Sequence, residues 1–167
     1  MDAAFDVENG QGVPADVAAG LQLLVASCDR GHVRACMSIA QDDRAALPER
    51  MKYGRIACKL GEERTCGALA GVFGDMPIDA GAAAFARGEL DRMCKARDGT
   101  ACWVLAGAFW TRNRAKAAAA ITAGCAVDPD LCDYKAKLAR GEPFFSDLGP
   151  VPKLDVQPLV DEAKRGR

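Results

Sequence analysis

The stretch CDRGHVRAC, residues 28–36, opens and closes on cysteine with seven residues between. CKLGEERTC (58–66) and CKARDGTAC (94–102) repeat that spacing, and CAVDPDLC (125–132) repeats it one residue shorter. Together these stretches use all eight cysteines of the chain. An even set in regular pairs reads as a disulfide framework in an oxidising compartment. The recurring spacing argues for local pairing: Cys28–Cys36, Cys58–Cys66, Cys94–Cys102 and Cys125–Cys132. Two other readings stay open at this point, reduced structural thiols and zinc. Zinc sites favour closer cysteine pairs such as C-x2-C or C-x4-C. The single histidine, His32, adds little to a ligand set.

Aligned on their first cysteines, the four units share more than sulfur. Four residues before that cysteine stand Leu24, Gly54, Leu90 and Ile121, and eight before it Gly20, Arg50, Ala86 and Ala117. Four residues after the second cysteine stand Ala40, Ala70, Ala106 and Ala136, preceded by Ile39, Leu69, Leu105 and Lys135. Small and large apolar residues thus recur at helical spacing on both sides of each pair. The first cysteines are 30, 36 and 31 residues apart, within the range of helix-pair repeats. Gly31 and Gly61 stand three residues past a first cysteine, where a helix end wants a left-handed residue. The third unit has Arg97-Asp98-Gly99 there, so its turn is expected to differ. In the fourth, Asp128 and Pro129 read as an N-cap followed by the first helical residue. Pro48 and Pro77 fall between units, where they can start a helix without breaking one.

Each unit is therefore expected to be helix A, a tight turn and helix B, with its cysteine pair across the turn. An antiparallel helix pair can bring the two Cα atoms within the roughly 7 Å a disulfide needs. The expected fold class is all-α, with units at about 10–41, 42–75, 76–111 and 112–140.

Length and composition agree. A chain of 167 residues suffices for one domain with a sizeable core. Half the residues are hydrophobic but few are aromatic, which suits close-packed small-residue helices. The net charge is -1 with acids and bases mixed, so no basic patch points to a nucleic-acid partner. No run is long enough to span a membrane. The start, MDAAFDVENG, lacks the basic-then-apolar layout of a signal peptide.

Residues 10–36, GQGVPADVAAGLQLLVASCDRGHVRAC, resemble a Sel1-like repeat of the cysteine-rich bacterial type. The resemblance rests on Gly10-x-Gly12-Val13, Asp16, the small residue Gly20, the Cys28-x-x-Gly31 turn and Ala35-Cys36. Later units match around their cysteines but lack the G-x-G-V loop, and coverage runs over about residues 3–140. The resemblance implies an α/α superhelix, a solenoid of about four Sel1-like helix pairs related to tetratricopeptide repeats. It implies a disulfide from A to B within each repeat. It also implies an adaptor role, although some family members are named penicillin-binding or β-lactamase-like, and one mitochondrial relative is similar to a respiratory-chain assembly factor. In that register, residues 2–13 read as the tail of a B helix whose A helix lies upstream. The expected location is extracytoplasmic, periplasmic or secreted, with the leader absent from this sequence. Reduced thiols would instead mean a cytoplasmic location. After Arg140 the repeats stop, and residues 141–167 read as a proline-rich capping tail. Phe144, Phe145 and Leu148 are expected to cover the last helix pair, and residues 157–165 to form a short helix.

Catalytic chemistry is hard to find. No H-E-x-x-H, G-x-S-x-G or Walker-type loop occurs. None of Ser27, Ser38 and Ser146 has the lysine three residues on that β-lactamase chemistry uses. His32 reads as a solvated turn residue, and Gly10-x-Gly12 as a structural loop. Asp42-Asp43 and Asp128/Asp130 lack the alternating oxygen ligands of a calcium loop and read as helix caps. No catalytic residue, metal or cofactor is assigned. Trp103 and Trp110 lie seven apart and read as packing between repeats, with an exposed aromatic patch as the alternative. Binding is the more natural work of stacked helix pairs, through a groove lined by A helices. ERMKYGRIAC (49–58) offers Arg50, Lys52, Tyr53 and Arg55 for such a groove, and helix A of unit three offers Glu89, Asp91 and Arg92. The leading expectation is a non-catalytic scaffold for an unidentified protein or peptide. Its rivals are binding or hydrolysis of a β-lactam or cell-wall amide, and a reduced cytosolic scaffold that binds zinc or senses oxidants.

Overall fold

The computed structural model describes residues 16–73 and 79–145. The Gly10-x-Gly12-Val13 loop, the helix tail at 2–13, Pro77, Ser146, Leu148 and the helix at 157–165 lie outside the described residues. The fold is all-α. In chain order come α1 (Val17–Asp29), α2 (Val33–Gln41), α3 (Leu47–Lys59), α4 (Glu63–Ala70), α5 (Ala80–Lys95), α6 (Gly99–Phe109) and α7 (Arg114–Cys125). A 3-10 turn (Pro129–Cys132) and α8 (Asp133–Arg140) follow.

Side chains at the entries set these boundaries. Asp16, Glu62, Asp79, Asp98 and Asn113 each accept a hydrogen bond from the backbone N–H three residues on, at 2.5–3.0 Å. Each satisfies one of the amide donors that a helix start leaves without a partner. Asp128 caps the 3-10 turn by accepting from the Asp130 amide at 3.1 Å, with Pro129 as first residue.

The turns after α1, α3 and α5 are the same turn. Gly31 has φ 87°, Gly61 φ 97° and Arg97 φ 70°. In each, the amide of the next residue donates back across the turn, His32 to Ser27, Glu62 to Ala57 and Asp98 to Met93, at 3.0–3.2 Å. The third turn therefore does not differ, contrary to the expectation from its missing glycine. Arg97 takes the left-handed conformation that glycine takes in the other two turns, within the loop closed by Cys94–Cys102. The fourth turn is the one that departs. It is one residue shorter, and the Asp128 amide donates to the Gly124 carbonyl at 2.8 Å instead.

A left-handed arginine costs more than a left-handed glycine. Arg97→Gly is expected to raise stability by about 0.5–1 kcal/mol, the relief being partly offset by a more flexible unfolded chain. A shift of the urea midpoint to higher concentration checks this. A lower midpoint would mean that the arginine side chain makes a stabilising contact.

All eight cysteines are paired. The bridges Cys28–Cys36, Cys58–Cys66 and Cys94–Cys102 join α1 to α2, α3 to α4 and α5 to α6, and Cys125–Cys132 joins α7 to the 3-10 turn. Their Cα atoms are 4.6–4.8 Å apart. The first three bridges are buried and the fourth is half-buried. Sulfur held in a disulfide supplies no thiolate to a metal.

Each helix packs on the next along the chain, and α3 also meets α5, α4 meets α6 and α5 meets α7. The repeated apolar positions explain this. Leu24, Gly54, Leu90 and Ile121 are all buried, as are Ala40, Ala70 and Ala106. Ala136 breaks the pattern and is exposed, and Leu138 is the residue that α8 buries. The unit that departs is also the one with the shorter cysteine spacing and a 3-10 turn before its second helix. Buried apolar residues form two clusters. The smaller joins α1, α2 and α3 through Leu24, Ile39, Tyr53 and Ala57. The larger runs from Cys58 to Phe144 and has Leu69, Leu90, Val104 and Ile121 among its members.

The end of the larger cluster is aromatic. Phe144 lies with its ring centroid 5.0 Å from both Trp103 and Trp110 and 5.4 Å from Tyr134. Phe145 meets Phe73 and Trp103. The indole N–H of Trp110 donates to the Glu142 carbonyl at 2.7 Å, which ties the segment after α8 back to the end of α6. Trp110 is buried and Trp103 half-buried, both within this packing.

A cleft between α5 and α7

Helices α5, α6 and α7 touch one another in all three combinations. Between α5 and α7 they leave a cleft of about 720 Å3. Its α5 wall carries Ala84, Arg87, Gly88, Asp91 and Lys95, and its α7 wall Lys116, Ala119, Ala120 and Ala123. Cys94 of α5 and Leu105 and Phe109 of α6 complete the lining. Alanine and glycine alternate in these walls with longer charged side chains. Helices in contact normally fill the space between their axes with side chains. Here the alanines and the glycine are too short to do so.

The polar groups of the cleft divide by partner. Lys95 Nζ lies 2.6 Å from Asp91 Oδ2, one helical turn away on the same wall. Arg87 and Lys116 have no carboxylate partner among the described residues. Both turn to one aromatic ring, Arg87 with its guanidinium carbon 6.0 Å and Lys116 with Nζ 5.2 Å from the Phe109 centroid. Two cations from different helices thus converge on one half-buried phenylalanine.

Comparison with protein-family models, with curated proteins and with solved structures finds no match for this chain.

The groove residues expected from sequence lie elsewhere. Tyr53 is 3% exposed and belongs to the core between α1, α2 and α3, so its ring is not available to a partner. Arg50 donates from Nε to the Ala40 carbonyl at 3.1 Å, closing the end of α2. Lys52 sits over the Tyr53 ring, with Nζ 4.7 Å from its centroid. Arg55 reaches Asp79 at 3.5 Å and approaches Phe85, linking α3 to the start of α5. Arg92 pairs with Glu89 at 2.8 Å along α5. Of that set, only Asp91 lines the cleft. Sequence did carry a signal for the rest. Ala84 and Gly88, Asp91 and Lys95, and Ala119 and Ala123 are each four apart, hence on one helix face.

The possible catalytic groups are also placed. Ser27 and His32 line a separate depression of about 270 Å3 beside the first turn, together with Val33 and Arg34. Among the described residues no hydrogen bond joins the Ser27 hydroxyl to the His32 imidazole, which is exposed. Ser38 donates its hydroxyl to the Arg34 carbonyl at 2.9 Å within α2. Asp42 accepts from the amide and the guanidinium of Arg44, and the Arg44 hydrogen bond holds its carboxyl below the usual range.

One pair of carboxyls that sequence reading missed comes together, Glu63 at the start of α4 and Asp98 at the cap of α6. Burial pushes the Glu63 carboxyl above its ordinary value, and the Asp98 and Glu62 carboxyls push it the same way. A carboxyl that holds its proton more tightly folded than unfolded loses stability as pH rises through its unfolded and then its folded pKa. Glu63→Gln removes that loss. The variant is expected to be more stable than the parent near neutral pH and equal to it below about pH 3, where both side chains are neutral. Urea midpoints at the two pH values check this. A variant less stable at neutral pH would show that the Glu63 carboxylate is favoured where it stands.

Proposed function

We propose that this chain is a non-catalytic, Sel1-like repeat scaffold that binds an extended peptide or a protein segment in an extracytoplasmic, oxidising compartment. The α5–α7 cleft carries the reading. It is apolar along its walls and polar at a few points, which is the usual composition of a recognition groove. It also lies between the first helices of successive units, the helices that line the inner surface of a tetratricopeptide-like superhelix. The succession of helix, left-handed turn, bridge and helix in three units supports the family reading. So does helix packing that runs mainly between neighbours and next-but-one neighbours along the chain. Four bridges support the oxidising home. Among the described residues no helix is long and apolar enough to cross a membrane.

The test is selection from a displayed library of random short peptides against the oxidised protein. The reading expects convergence on a shared pattern, and binding that is lost when the bridges are reduced. Failure to converge would overturn it. Thiol labelling of protein taken from cells under alkylating conditions tests the compartment. No labels before reduction and eight after it are expected, and eight labels without reduction would place the chain in a reducing compartment instead.

A further inference from the structure

We infer that the partner of the α5–α7 cleft is an acidic peptide segment, held by Arg87 and Lys116 where they converge on Phe109. The inference rests on the scaffold reading and names the chemistry of its ligand. Surface cations in helical proteins commonly find a carboxylate one turn away, as Lys95 and Arg92 do on this same helix. Arg87 and Lys116 do not. Both approach one ring that lines the cleft, in a chain whose net charge is -1. A carboxylate arriving there would meet two cations, and the one acid of the lining, Asp91, is paired with Lys95. Charge-assisted hydrogen bonds from guanidinium and ammonium groups are among the stronger polar contacts.

Gly88 points the same way. A glycine inside a helix costs stability relative to alanine. At Gly88 an added Cβ would meet nothing within 4 Å, so no packing inside the molecule requires the absence of a side chain. An approaching ligand backbone would. From Ala84 to Lys95 the α5 wall runs about 16 Å, which matches about five residues of extended chain. The expected ligand therefore has one or more Asp or Glu side chains at the Phe109 end, followed by small or apolar residues along the alanine walls.

The same peptide selection tests this, scored now for composition and repeated with variants. Selected peptides should be enriched in Asp and Glu, and their binding should weaken with added salt. Arg87→Ala with Lys116→Ala should lower affinity at least about tenfold at unchanged helical content. Arg87→Glu with Lys116→Glu should select basic peptides instead. Gly88→Leu should block binding while melting no lower than the parent. Convergence on peptides without acidic enrichment would overturn the inference and leave the scaffold reading standing. So would acidic peptides that bind the Ala variant as tightly as the parent. Absence of any convergence would overturn both.

Discussion

Full reduction of the four disulfides is expected to unfold the chain. Each bridge spans a sequence separation of seven or eight residues, and loops of that size are constrained by a bridge to the extent of about 2–3 kcal/mol. Four together amount to about 10 kcal/mol, as much as the whole stability of an ordinary domain. The helices cannot compensate on their own. α2 has nine residues and α4 and α8 eight each, well below the length at which an isolated helix persists in water. The substantial helix contacts join neighbours and next-but-one neighbours along the chain, with the Phe73–Phe145 ring contact reaching further. The measurement is helical circular dichroism and urea unfolding before and after complete reduction. A reduced chain that keeps its helical signal and unfolds cooperatively would show that packing alone suffices. Under limiting reductant the bridges should open in order. Cys125 and Cys132 are half-buried and the other six cysteines buried, so Cys125–Cys132 is expected to open first. Mass mapping of alkylated peptides reads that order, and early opening of Cys58–Cys66 would contradict it.

Leu90→Ala is expected to be the most damaging single apolar truncation, at about 3–5 kcal/mol. Leu90 is completely buried on α5, in the larger cluster, one turn before Cys94. Truncation removes the transfer energy of its methyl groups and leaves a cavity. That cavity has little room to collapse, since Cys94–Cys102 holds α5 against α6 and the small residues of α7 offer nothing to fill it. Leu23→Ala on α1, where the side chain is 44% exposed, is the matched control and is expected to change stability by no more than about 0.5 kcal/mol. Urea midpoints of the two variants decide the matter. Equal effects would mean that the α5 core is loosely packed.

The helices and their order were legible because they depend on neighbours along the chain. Cysteine spacing, capping acids and apolar residues at helical intervals all act within one or two turns. Leu24, Gly54, Leu90 and Ile121 are buried as their spacing implies. Tyr53 was read as a groove residue because tyrosine and arginine are common interface anchors, and it lies in the core instead. Its spacing of four from Ala57 already placed it on the buried stripe of α3. The candidate site was barely legible. Asp91 was found, while Arg87, Phe109 and Lys116 were not, since they come from three helices whose meeting no local pattern describes.

Sequence alone thus determined what short-range physics controls: an all-α chain with helices joined two by two across cysteine-flanked turns. Tertiary structure decided three further things. It set Arg97 in the left-handed conformation that glycine takes in the other two turns, within the loop closed by Cys94–Cys102. It buried Leu138 rather than Ala136 on α8, the helix that follows the shortened turn, because burial depends on which neighbouring elements a helix meets. And it set two cations against one phenylalanine that lines a cleft, because the three helices that carry them, α5, α6 and α7, all touch one another.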